Sequence, residues 1–174
     1  MIAQPKDQRV GVFVDVQNLY YSAKNIYNSK INFKELLKIA VDGRKLIRAM
    51  AYVIKADVLA EKTFFDALEQ IGFEIKSKDL QVFFGGFKKG DWDVGIAMDA
   101  IEVAPKVDTV VIISGDGDFL PLVEHLQRAM GCRVEVIAFG KSGSSMLKKG
   151  ADNFIDLDER TRYILLKDKR RKAE

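Results

Sequence analysis

Short apolar runs alternate with helically spaced stretches along the whole chain. Val10-Gly11-Val12-Phe13-Val14 and Val110-Val111-Ile112-Ile113 are apolar at every position, the pattern of central strands covered on both faces. Leu46–Ile54 and Arg133–Phe139 predict two more strands. Phe73–Lys78 alternates apolar and basic residues, which predicts a half-exposed strand nearer an edge. Further short strands are predicted at Gln81–Phe84 and Phe154–Leu157. Helical spacing begins near Leu19 and recurs over Phe33–Ala40, capped by Asn32 and closed by Asp42-Gly43. It recurs over Ala60–Ile71 before Gly72, from Asp93 to about Ala104 before Pro105, and from Asp118 through Met130 before Gly131. Ser142–Lys149 predicts one short helix more, and Tyr27–Lys30 a loop. Such alternation predicts βαβ units and a mainly parallel sheet. One domain over residues 9–158 is expected, followed by a charged tail or helix over 159–174.

Composition narrows this picture. The chain has 174 residues, enough for one domain with a real core. No apolar run approaches bilayer length. Met1–Arg9 lacks the apolar h-region of a signal peptide, so a cytoplasmic protein is expected. Cys132 is the single cysteine, which excludes an internal disulfide and a cysteine cage for metal. A net charge of +3 is compatible with a polyanionic partner. The densest basic run, Lys167–Lys172, reads as a solvated terminus. Gly140–Ser145 is Gly/Ser-rich but does not fit a phosphate-binding loop; it is expected to be a flexible loop near substrate, or a helix cap. His125 falls mid-helix, as a packing or surface residue.

The chemistry lies in aspartates. Asp15 follows the first strand. Asp116 and Asp118 follow Val110–Ile113 within Ser114-Gly115-Asp116-Gly117-Asp118-Phe119. Asp93 opens a helix at the head of the stripe Ile96, Ala97, Ala100, Ile101 and Ala104, so it falls on the buried face. Asp91 could serve instead with a shifted helix start, and Asp99 points about 120° away. Each acid alone would be an ordinary turn or cap residue. Four of them on the C-terminal side of a parallel sheet, where ligands bind in such folds, are harder to read as four caps. Clustered carboxylates need cations or protons between them. Hard oxygen donors without cysteine favour Mg²⁺ or Mn²⁺ over zinc. A site of that kind activates water and stabilises charge on a phosphoryl group. Asp116, between two glycines, is the better direct ligand, because Asp118 competes with its own helix cap. Lys88, Lys89, Lys141, Lys148 and Lys149 are candidates to steer a phosphate backbone, and Trp92 or Phe87 to stack on an unpaired base.

Asp15-Val16-Gln17-Asn18, Lys89-Gly90-Asp91-Trp92-Asp93-Val94 and Ser114–Phe119 occur in that order. Together they resemble the NYN domain, in its LabA-like branch, within the PIN-like nuclease superfamily. The resemblance covers roughly Val10 to Leu157. Its middle motif has one residue more than the usual spacing, so Asp91 and Asp93 both stay candidates, with the buried stripe favouring Asp93. The resemblance implies a three-layer α/β/α fold around a central parallel sheet. It implies a metal-dependent ribonuclease with Asp15, Asp93, Asp116 and Asp118 as the acidic set, and with Asn18 and Ser114 orienting those acids or the attacking water. The reading is thus an endoribonuclease hydrolysing single-stranded RNA with Mg²⁺ or Mn²⁺. The alternative is a non-catalytic RNA-binding or regulatory module that keeps the fold. A dehalogenase-type phosphatase, suggested by Asp116-Gly117-Asp118, would need that pair on its first strand. No membrane partner is expected, and a homodimer is left open.

Overall fold

The computed structural model describes residues 5–55, 58–86 and 88–166. In chain order the elements are β1 (Arg9–Asp15), α1 (Val16–Tyr27), β2 (Lys30–Ile31), α2 (Phe33–Val41) and β3 (Lys45–Lys55). There follow α3 (Val58–Ile71), β4 (Glu74–Asp79), β5 (Gln81–Val82), β6 (Lys88–Lys89), α4 (Asp93–Val103) and β7 (Thr109–Ile113). The last are α5 (Leu120–Arg128), β8 (Arg133–Ala138), α6 (Ser145–Gly150), β9 (Asn153–Asp156), α7 (Thr161–Ile164) and β10 (Leu165–Leu166). Six strands form one sheet in the order β4-β3-β1-β7-β8-β9, every neighbouring pair parallel.

Side-chain alternation builds a core on each face. Val10, Val12 and Val14 of β1 and Val111 and Ile113 of β7 meet Leu19, Leu36, Leu68 and Ile164 from α1, α2, α3 and α7. Phe13, Val110 and Ile112 face the other way, onto Ile96 and Ala100 of α4, Val123 and Leu126 of α5, and Leu147 of α6. This is the three-layer α/β/α architecture. Full burial of one Val or Ile is worth ~1.5–3 kcal/mol. Covering both faces therefore commits the continuous apolar runs to the sheet centre, and the half-polar β4 to an edge.

Strand order sets the site. From β1 the chain crosses to β3 on one side, while β7 lies on the other. α1 leaves the end of β1 onto one face, and α5 follows β7 onto the opposite face. A crevice opens between two such divergent exits, beyond the carboxyl ends of the strands. Asp15 and Ser114 stand at that point, one residue past the paired Val14 and Ile113.

Some segments depart from expectation. The α4 helix ends at Val103, next to the expected stop, and runs on as a 3₁₀ turn over Ala104–Lys106 that includes Pro105. The helix expected from Asp118 begins instead as a 3₁₀ turn, Gly117–Phe119, before α5. Gln81–Val82 pairs antiparallel with Lys88–Lys89, so the Gly-rich loop is partly a hairpin. The loop expected at Tyr27–Lys30 contains a left-handed cap at Asn28 (φ 46°) and then β2. β2 pairs antiparallel with β10. Residues 159–166 are therefore no tail: buried Ile164 anchors them in the core. The basic run Lys167–Lys172 lies outside the described residues. Arg44 and Glu135, 91 positions apart, form a buried ion pair with bonds of 3.2 and 2.8 Å. Among the described residues no helix is long and apolar enough to cross a membrane.

Candidate metal centre

Asp15 ends β1 and caps α1. Its Oδ1 accepts the Asn18 N–H at 3.3 Å, and its Oδ2 accepts the Ser114 hydroxyl at 3.2 Å. Ser114 Oγ in turn accepts the Asp116 N–H at 3.2 Å. The Asn18 side-chain Oδ1 accepts the Gly115 N–H at 2.9 Å. Asn18 and Ser114 thus tie the first acid to the loop that carries Asp116 and Asp118. The capping roles of that pair are the reverse of expectation. Asp116 caps the 3₁₀ turn, its Oδ1 accepting the Asp118 N–H at 3.0 Å, and Asp118 stands exposed. A short 3₁₀ turn starting at Gly117 puts the Asp118 N–H within reach of the preceding acid.

The Asp116 loop rests on the Gly/Ser-rich segment. A Cβ on Gly115 would lie 3.0 Å from Gly143 Cα, so two backbones touch there. Ser144 donates its N–H to the Gly115 carbonyl at 2.9 Å. Gly140–Ser145 is held further by Gly140 N–H to Asp156 (2.8 Å), Lys141 N–H to Asp158 (2.8 Å) and Ser142 hydroxyl to Ser22 (3.0 Å). It is a braced wall of the site.

Asp93, Asp116 and Asp118 each offer an oxygen within 4.8 Å of the other two. Asp15 is not one of this trio, but it lines the same cleft of about 340 Å³ together with Asp91, Asp93 and Asp116. Between the two middle-motif candidates, Asp93 joins the trio. Asp91 accepts the Asp93 N–H at 3.4 Å and so helps start α4. Burial, and after it the charges of Asp116, Asp91, Asp15 and Asp118, push the Asp93 carboxyl up to about 6. Asp15 is also raised, by burial first; the Asn18 N–H and the Ser114 hydroxyl oppose this, and Asp116 and Asp91 add to it. Among the described residues no lysine or arginine lines the cleft. Convergent hard oxygen donors with raised proton affinity and no internal cation fit a divalent ion such as Mg²⁺ or Mn²⁺.

The other predicted residues are placed as follows. The Trp92 indole N–H donates to the Val53 carbonyl at 2.9 Å, its ring packs 5.4 Å from Tyr52, and the Lys78 ammonium sits 4.5 Å from the ring centre. Its indole thereby packs the residue before α4 against β3 and β4. Lys141 holds its ammonium 5.3 Å from the Tyr27 ring, and Lys148 bonds the Gly140 carbonyl. The side chains of Lys88 and Lys89, and Phe87 entirely, lie outside the described residues. Asp99 accepts from Tyr52 and Lys76, both at 2.7 Å, and so is a packing acid. His125 is exposed and Cys132 buried. Sequence reasoning missed the part of the lining that α1 supplies, Gln17, Tyr21 and Asn25. Their four-residue spacing, starting two residues after Asp15, was the available signal.

Fold and site together define an α/β/α protein with an acidic, hard-cation type of cleft at the switch point of a parallel sheet. The chain belongs to the NYN domain family, which matches residues 9–158 and falls within the PIN-like nuclease superfamily. It is 25% identical to the low amplitude and bright protein LabA of Synechococcus elongatus, over 91% of this chain and 89% of that protein. An uncharacterized protein of Methanocaldococcus jannaschii is 28% identical over 88% of this chain but only 57% of its own length. A crystal structure of a Vibrio parahaemolyticus protein of unknown function superposes with a TM-score of 0.85 at 36% identity, covering 94% of this chain and 99% of that one. Family membership suggests nuclease chemistry, and divalent metals are general among such nucleases.

Proposed function

We propose that the chain is a divalent-metal-dependent endoribonuclease that hydrolyses single-stranded RNA in the cytoplasm. One observation carries this reading: aspartates from three separate segments converge in a cleft that no described lysine or arginine lines. Asp93, Asp116 and Asp118 would hold Mg²⁺ or Mn²⁺, with Asp15 and Asp91 beside them. When bound, the ion activates water and offsets charge on the phosphodiester. Ser114 and Asn18 fix the acids by binding Asp15 and the Asp116 loop on both sides of the crevice.

The test is cleavage of a labelled single-stranded RNA by the full chain with Mn²⁺ or Mg²⁺ and with EDTA. Metal-dependent internal cuts that fall to background in Asp116→Asn support the reading. An Asp116→Asn protein that cuts as fast as wild type overturns the site. Tight binding without cleavage across metals and RNAs would turn the assignment to the non-catalytic module.

A further inference from the structure

The two walls of the cleft differ in chemistry. One carries Asp15, Asp93 and Asp116; the other is α1, with Gln17, Tyr21 and Asn25. Positions four apart share a helix face, about 6 Å apart along the axis. This face is amide, phenol, amide, without a charge. Tyr21 is 51% exposed at the cleft, and its ring is braced edge-on by Tyr20 at 5.5 Å and 75°. The cleft-lining residues of α1 carry no charge that would hold a phosphate; Lys24, with its ammonium 5.8 Å from the Tyr20 ring, is not among them. This face suits the flat, neutral part of a nucleotide, whose edge carries donors and acceptors. Aromatic rings stack on unpaired bases, and side-chain amides bond their edges.

We propose that this face of α1 is a nucleobase subsite: Tyr21 stacks an unpaired base next to the scissile phosphate, and the Gln17 and Asn25 amides bond its edge. The proposal rests on the ribonuclease reading above and adds the basis of its substrate choice. A base inside a duplex has both faces covered by neighbours and its pairing edge in use, so the subsite selects unpaired RNA. Tyr21 makes no contact with the acidic trio in this assignment, and its removal acts on affinity.

The experiment follows a single 2-aminopurine in a short RNA by stopped-flow fluorescence with Mn²⁺ and the full chain, alongside steady-state cleavage. Stacking on one aromatic side chain carries enough binding energy that Tyr21→Ala should raise KM about tenfold. The same variant should leave kcat within about twofold and abolish the fluorescence change, while the salt dependence of KM, which reports phosphate contacts, keeps its slope. Tyr21→Phe, which keeps the ring, should recover most of the loss. A Tyr21→Ala protein with KM within about twofold of wild type overturns the subsite. So does a duplex RNA of the same sequence giving the same fluorescence change and rate. A Tyr21-dependent fluorescence change without cleavage under Mg²⁺ or Mn²⁺ supports the subsite and overturns the ribonuclease reading. Absence of any fluorescence change overturns the subsite.

Discussion

Replacing Asp93 with Asn should stabilise the metal-free protein at pH 7 while removing most of its response to divalent ions. Burial and the neighbouring Asp116, Asp91, Asp15 and Asp118 raise this carboxyl from 3.8 to about 6. The folded chain therefore holds the proton more tightly than the unfolded one. The resulting stability is fully present below the unfolded pKa of about 4 and is lost as pH rises through about 6. A rise of that size is worth at most ~3 kcal/mol. Solvent screening around a carboxylate that is only partly buried cuts this to ~1 kcal/mol. For a chain of this length ~1 kcal/mol moves Tm by ~2–4 °C. In EDTA at pH 7, Asp93→Asn should melt that much above wild type by circular dichroism, and the two curves should converge toward pH 4. Added Mn²⁺ should then raise the wild-type Tm much more than the variant's. A variant that melts below wild type in EDTA at pH 7, or that gains as much from Mn²⁺, would refute the reasoning.

Glu135→Ala leaves the buried Arg44 guanidinium without its counter-charge and should cost ~3–5 kcal/mol in urea unfolding; a change under ~1 kcal/mol would contradict that burial. Gly115→Ala drives a methyl against Gly143 Cα and should cost ~1–3 kcal/mol. Calorimetry should also show weaker Mn²⁺ binding by that variant, because the displaced loop carries Asp116. Trp92→Phe removes the donor to the Val53 carbonyl and should lower stability by ~0.5–1.5 kcal/mol. Its KM for RNA should hardly move, whereas a large KM rise at unchanged Tm would mean that the indole stacks substrate.

Local pattern was enough for what local pattern encodes. Continuous apolar runs at β1 and β7, with acids right after them, located the sheet centre and the residues that reach its edge. The buried stripe behind Asp93 pointed to the acid that lies beside Asp116 and Asp118, because one helix face decides both packing and direction. Features that depend on distant partners left no such trace. β2 and β10 are two residues long, too short for any periodicity. Arg44 and Glu135 come together only when α2, β3 and β8 pack. The cap at Asp116 depended on the first turn being 3₁₀, which spacing does not reveal. Tyr21 was hidden differently: Tyr20 and Tyr21 are both exposed, and only the fold shows that Tyr21 lines the crevice at the switch point.

The pairing of β10 with β2 carries the folded unit at least as far as Leu166. The family match stops at residue 158, yet the Ile164 carbonyl accepts the Asn32 N–H at 2.7 Å and the Leu166 carbonyl accepts the Ser29 hydroxyl at 3.0 Å. Tyr27, at the last turn of α1, bonds Asp158 at 2.5 Å. A shortened expression clone ending at 158 would keep every aspartate of the centre and the Tyr27–Asp158 bond, but it would lose buried Ile164 from the core and leave β2 without its partner strand. Such a protein would be less stable with its acidic centre unchanged in sequence, so a misplaced cloning boundary would pass for a missing activity.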